Sequence, residues 1–92
     1  GVAGVLNREK ELVGIITDGD LRRNFSSILK NNARQTMTKS PVTIDENTLA
    51  SEALALMNEK SITSLFINRK NTRKPKGIIH IHDCIKGLEN VD

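Results

Sequence analysis

Two stretches of this 92-residue chain spell the same corner twice. "LVGIITDGDLRR" (12–23) and "PKGIIHIHDCIKG" (75–87) align at a constant offset of 63, which puts Gly14 on Gly77 and Asp20 on Asp83. An internal repeat constrains a fold strongly, because each copy is one supersecondary unit that must bury its apolar face against a neighbour. The second copy is complete. "SPVTI" (40–44) reads as a short strand entered through Pro41. Asp45, Glu46, Asn47 and Thr48 supply helix-start chemistry, with Asn47 or Thr48 as the cap and Glu52 in the first turn, where the helix dipole favours an anion. "LASEALALMNEK" then places Leu49, Ala53 and Leu56 on one stripe, with Ala50, Leu54 and Met57 beside it, which is helical spacing. "ITSLFIN" (62–68) and "KGIIHI" (76–81) read as strands joined into an antiparallel hairpin by a basic loop. A last helix is expected from about Asp83, with Ile81, Cys84, Ile85 and Leu88 directed inward.

The first copy begins partway through that order. "GVAGVLN" aligns with "ITSLFIN", Asn7 falling on Asn68, and its hairpin loop is two residues shorter. "DLRRNFSSILK" predicts a helix with Leu21, Phe25, Ile28 and Leu29 on its inner face. Nothing ahead of Gly1 matches Met37 through Ser61, and "NNARQTMTKS" connects the copies without strong periodicity. The expected fold is therefore α+β (α/β-like), built of tandem strand–helix–strand–strand–helix repeats related by a pseudo-two-fold. Its first repeat lacks the initial strand and helix. Residues 1–33 form the second half of the first repeat, 34–39 a linker and 40–92 the second repeat. Apolar surface left over by the shortened copy predicts self-association as a symmetric homodimer.

Composition excludes several classes. No apolar run approaches the ~20 residues a bilayer-spanning helix needs, and the start "GVAGVLNREKE" lacks a signal peptide's basic and apolar regions; no membrane association is expected. A lone cysteine, Cys84, set among apolar residues, reads as an inert packed thiol in a cytoplasmic protein. Net charge is +3, and five basic residues fall in "NRKNTRKPK" (68–76). A phosphate-touching tip is one reading of that run; a solvated hairpin loop is the plainer one. The two aromatic residues, Phe25 and Phe66, both fit core positions, so the stacking platform of a single-strand nucleic-acid binder is missing and no nucleic acid is expected.

The chemistry sits in the repeated corner. Thr17-Asp18-Gly19-Asp20 matches a capping box: the Thr17 hydroxyl accepts from the Asp20 N–H while the Asp20 carboxylate reaches back to the Thr17 N–H, with no ligand required. Gly19 permits a tight backbone there. His80-Ile81-His82-Asp83 keeps the carboxylate but drops the hydroxyl, which argues that capping is not the whole purpose. Both copies share a polar side chain leaving a strand and a carboxylate three residues on, at a helix start. Helix N-termini favour phosphate, carboxylates accept a ribose diol, and Arg22 and Arg23 beside the first corner can meet anionic groups. If the two corners line one cleft, a phosphorylated, ribose-bearing ligand fits.

The motifs "GIITDGDLRR", "GIIHIHD", "MTKSPVTI", "LASEALALM" and "ITSLFI" together resemble the CBS domain pair that follows the sugar-isomerase (SIS) domain in bacterial arabinose 5-phosphate isomerases. The resemblance covers nearly the whole chain, to about Leu88. It implies a regulatory module, not an enzyme in itself, that binds an adenosyl or other nucleotide effector between repeats; AMP, ATP and, from the Kdo/lipopolysaccharide pathway, CMP-Kdo are the candidates. Carried over to this sequence, the implied ligand-binding residues are Thr17, Asp18, Asp20, Arg22, Arg23, Thr63, Ser64, His80, His82 and Asp83, with Asp20 and Asp83 as ribose contacts. His80 in place of a hydroxyl departs from the family pattern. The implied partners are the effector, the SIS domain of the parent chain and a second copy.

Three rivals stand beside that reading. Isomerisation needs a positioned acid and base, and His80 and His82 are the histidines available. His80 and His82, two apart on a strand, would point the same way and with Asp83 could hold zinc. Finally, the helix stripe at 49–57 and strand pairing could serve a purely structural dimerisation module.

Overall fold

The computed structural model describes residues Gly1–Glu89, with the side chains of the final helix described as far as Ile85. The chain divides into two compact units, Gly1–Pro41 and Val42–Asp92.

In the first unit, β1 (Val2–Leu6) and β2 (Leu12–Thr17) form an antiparallel hairpin with Val2 opposite Thr17 and Val5 opposite Gly14. Asn7 builds the connecting turn. Its Oδ1 accepts from the backbone N–H groups of Glu9 (3.0 Å) and Glu11 (2.9 Å), and its Nδ2 donates to Glu11 Oε1 (3.1 Å). A short helix, α1 (Asp18–Arg23), follows β2 at once. The long helix expected over "DLRRNFSSILK" does not form: α1 stops at Arg23, and Phe25–Ser27 is a single 3₁₀ turn. Asn24 ends α1 by donating from Nδ2 to the Asp20 carbonyl (2.7 Å), a side-chain bond that competes with helix continuation. The inner face assigned to Leu21, Phe25 and Leu29 is therefore turned out. Phe25 is 79% exposed and Leu29 99%. Leu12 is the fully buried hydrophobic side chain of this unit.

The stretch read as a featureless connector is ordered. α2 (Ala33–Thr36) opens with a capping box between Asn32 and Gln35, and β3 (Thr38–Lys39) joins β2 antiparallel, Gly14 opposite Lys39. That pairing explains Gly14: a Cβ there would sit 2.9 Å from the Thr38 carbonyl oxygen and collide with the Met37 side chain. Its repeat mate Gly77 faces open space.

The second unit follows the expected order. β4 (Thr43–Asp45) runs parallel to β5 (Ser64–Asn68), and β5 pairs antiparallel with β6 (Pro75–His80), giving the sheet order β4-β5-β6. Between β4 and β5 lies α3 (Ala50–Lys60), and α4 (Ile81–Glu89) closes the unit. Ala53, Met57, Leu65 and Cys84 form the buried core, backed by Ile44, Leu54, Leu56, Ile62, Ile79 and Ile81. Burial, and then the neighbouring Asp83 charge, push the Cys84 thiol pKa up, in keeping with a packed, unreactive sulfur.

Several local expectations shift. Neither Asn47 nor Thr48 caps α3; Leu49 is the capping position and has no side-chain bond, while Asp45 makes the preceding turn by accepting from Asn47 N (2.8 Å) and Thr48 Oγ1 (3.4 Å). Leu49 is 62% exposed, outside the helix stripe. Helix α4 begins at Ile81, two residues earlier than expected, and Ile85 is partly exposed. Phe66 is half-buried. The inward direction assigned to Leu88 lies outside the described side chains.

Candidate functional site: two strand-to-helix corners

At the first corner Thr17 ends β2 and caps α1. Asp20 N donates to Thr17 Oγ1 (3.2 Å), and Thr17 N donates to Asp20 Oδ2 (2.9 Å), so the capping box is complete. The Asp20 carboxylate is 4% exposed and fully engaged. Its Oδ2 also accepts from Thr17 Oγ1 (3.1 Å); its Oδ1 accepts from Arg23 Nη2 (2.7 Å) and Thr38 Oγ1 (2.8 Å). Burial alone would raise the Asp20 pKa. Hydrogen bonds from the Thr17 backbone, Thr38, Arg23 and the Thr17 hydroxyl outweigh it and hold the group at about 2. Thr38 escaped the sequence reading because it bonds across 18 residues, a contact that no local spacing announces.

Gly19 plays a different part from the one expected. Its backbone is not in the left-handed region, and a Cβ would stand 3.1 Å from Arg23 Nη1. Its smallness leaves room for the Arg23 guanidinium to lie over the turn and reach Asp20. Asp18 is exposed and accepts from the Gly1 amino group (2.8 Å), a bond and charge that lower its pKa. Arg22 is exposed at the end of α1.

The second corner is built from β5, β6 and α4. Ser64 lies opposite His80 across the hairpin, and the exposed Thr63 accepts from Ile81 N through its carbonyl (2.8 Å). Asp83 Oδ2 accepts from His80 N (3.0 Å), which repeats the Thr17–Asp20 bond. The missing hydroxyl has a substitute: His80 Nδ1 accepts from His82 N (3.2 Å) at the first turn of α4. The loss of the hydroxyl therefore does not by itself argue that the corner serves more than capping, because an imidazole nitrogen can accept as a hydroxyl does. His82 lies on α4, not on the strand, so the two histidines do not project side by side from β6; their rings meet at 4.7 Å between centroids, tilted by 31°. Among the described residues no group of three or more His, Cys, Asp or Glu side chains comes together as a metal site. Asp83 is exposed, and among the described residues only His80 N bonds to its carboxylate.

Each unit thus gathers its own half of the expected site: Thr17, Asp20 and Arg23 in the first, and Thr63, Ser64, His80, His82 and Asp83 in the second. A family model, the CBS domain, matches residues 33–90. The chain belongs to the CBS domain family.

Among curated proteins, the CBS chain is 46% identical over 86 residues to protein RP505 of Rickettsia prowazekii, covering 92% of this chain and 26% of that protein. It is 41% identical over 90 residues to the arabinose 5-phosphate isomerase KdsD of Francisella tularensis, covering 94% of this chain and 27% of KdsD. It spans about a quarter of the length of these relatives. Among solved structures, the CBS domain pair of protein MJ0100, in complex with 5′-methylthioadenosine and S-adenosyl-L-methionine, superposes with a TM-score of 0.81 at 20% identity, over 96% of this chain and 69% of that one. CBSX2, in complex with AMP, gives a TM-score of 0.77 at 22% identity, over 96% of this chain and 70% of that one. These likenesses establish the α+β CBS fold. No helix among the described residues is long and apolar enough to cross a membrane.

Proposed function

We propose that this chain is the regulatory CBS module of an arabinose 5-phosphate isomerase and takes a phosphate- and ribose-bearing effector at its two corners. The observation that supports it most is the common build of those corners. Each carries a carboxylate three residues past a strand end, bonded back to the strand-end N–H, at a helix start. That MJ0100 and CBSX2 were solved with adenosine ligands supports a nucleotide effector, with AMP, ATP and the pathway sugar nucleotide CMP-Kdo as the candidates.

In this reading Asp83 is the readier ribose contact, since most of its acceptor capacity is uncommitted. Ser64 lies opposite His80 on the neighbouring strand, and the Thr63 carbonyl accepts from Ile81 N at the same strand end. Asp20 must exchange its Arg23 or Thr38 bond for a ligand hydroxyl, and the released Arg23, with Arg22, then meets a phosphate or carboxylate. Aldose–ketose chemistry belongs to an SIS domain of the parent, so the 92-residue chain is expected to show no turnover of arabinose 5-phosphate, and its setting is a cytoplasmic homodimer. Calorimetry with AMP, ATP and CMP-Kdo tests the reading: at least one should bind, and Asp83→Asn should weaken it about tenfold, near 1.4 kcal/mol. No heat from any of the three ends it.

The saturation of Asp20 and the exposure of Leu21, Phe25 and Leu29 favour a second reading, a ligand-free dimerisation module. Sedimentation of Phe25→Ser and Leu29→Ser separates the two: a monomeric variant that still binds nucleotide argues for the sensor, and a monomeric wild type removes the adhesive role.

A further inference from the structure

The repeat puts a hydroxyl at one corner and an imidazole at the other, and the two caps obey different chemistry. At the first corner Thr17 Oγ1 accepts from Asp20 N (3.2 Å). At the second His80 Nδ1 accepts from His82 N (3.2 Å). A hydroxyl oxygen keeps its lone pairs over the whole pH range in which proteins stay folded. An imidazole does not. In the neutral ring one nitrogen carries the proton and the other accepts, whereas in the cation both nitrogens are donors. The bond from His82 N therefore exists only while His80 is neutral, and it fixes the tautomer, with the proton on Nε2.

The setting bears on what a charged ring would do. His80 ends β6 and α4 begins at the next residue, so the ring lies at a helix N-terminus, where partial positive charge opposes a cation. The His82 ring stands 4.7 Å away between centroids, and two charged rings at that spacing repel. Asp83 is the opposing group. Its Oδ2 already accepts from His80 N (3.0 Å), and the residue is exposed, so solvent screens its pull. Across the hairpin Ser64, opposite His80, brings no charge. A protonated ring drawn to Asp83 still has no lone pair for His82 N. The cap is lost whichever neighbour prevails.

We propose that the second corner is a proton-responsive helix cap: neutral His80 holds the first turn of α4, and protonated His80 releases it. Imidazole is the side chain whose charge changes between about pH 5 and 8, so the corner responds within that range, while the Thr17 cap does not. The helix itself stays docked, because Cys84 belongs to the buried core and Ile81 packs against it. Acidification thus loosens one corner of the module and leaves its repeat mate shut. The inference concerns how α4 is held and does not depend on the effector reading.

Nuclear magnetic resonance of the 92-residue chain tests this. Ring nitrogen shifts of the neutral form should show the His80 proton on Nε2. As pH falls from about 8 to 5, the His82 amide proton should move upfield in step with the charging of the His80 ring. The Asp20 amide should hold still, since the Thr17 hydroxyl does not titrate and the Asp20 carboxylate takes up its proton only at about 2. His82→Gln removes the neighbouring ring and keeps the backbone N–H, so the amide at position 82 should still follow His80. Adding His80→Ser to that variant leaves an acceptor that does not titrate and should abolish the movement. The proposal is overturned by a neutral His80 ring with its proton on Nδ1, by an amide at position 82 that stays fixed in the His82→Gln variant while His80 charges, or by an undiminished movement in the double variant.

Discussion

The two corners began as one sequence pattern, yet they have diverged into a closed and an open form. At Thr17–Asp20 the carboxylate is buried and accepts four hydrogen bonds, two of them from Arg23 and Thr38 outside the capping box. At His80–Asp83 the corresponding carboxylate is exposed and accepts one. The backbone logic is the same; the surroundings are not. β3 lies against β2 in the first unit and brings Thr38 with it, whereas in the second unit the strand beside β5 on the far side from β6 is the parallel β4. A repeated motif therefore fixes a local turn, and the neighbouring strand decides whether its acid is structural or available.

The largest test of this contrast is truncation of the two acids. Asp20→Ala leaves the Thr17 N–H, the Thr38 hydroxyl and the Arg23 guanidinium without their acceptor and should cost about 3 kcal/mol in urea unfolding. Asp83→Ala removes one exposed bond and should cost about 1 kcal/mol or less. Equal losses would break the distinction.

The paired glycines come next. Gly14→Ala forces a Cβ against the Thr38 carbonyl and should cost about 2 kcal/mol by displacing β3. Gly77→Ala enters open space on a strand and should be neutral or stabilise by a few tenths of a kcal/mol. Because β3 delivers Thr38, Gly14→Ala should also raise the Asp20 pKa, which carboxyl NMR titration reads directly.

Acid titration gives a third measure. Asp20 falls from an ordinary 3.8 to about 2 in the folded chain. A depressed folded value means its contribution is present above pH 3.8 and is lost as pH falls through 2; its size is about 2 kcal/mol. Stability of the wild type should therefore drop across that window more steeply than that of Asp20→Asn. Coincident pH profiles would mean that the carboxylate is not held as described.

The smallest effect concerns the substitute cap. His80→Ser restores the hydroxyl of the first copy and should change stability by about 0.5 kcal/mol at most, whereas His80→Leu removes the acceptor and should cost about 1 kcal/mol. If both variants behave alike, Nδ1 is not capping α4.

Much of the second unit was legible because its signals are local. β-Branched and aromatic residues marked β5, the hairpin loop tied β6 to it, the 3.6-residue stripe marked α3 through Ala53 and Met57, and the repeat carried those assignments to β1 and β2. The failures have two causes. Phe25 and Leu29 matched a helical stripe, but Asn24 ends the helix and no described neighbour buries them. The connector showed no periodicity because a four-residue helix and a two-residue strand are too short to display one.

By itself the sequence determined the repeat, the strand–helix order of the complete copy and the capping box of the first corner, because those depend on residues within a few positions of each other. Tertiary structure alone decided that Asp20 is buried and held by Thr38, and that the Asn68 oxygen is buried without a partner. Each of these turns on what lies beside the chain in space, and a hydrogen bond across 18 residues leaves no periodic trace.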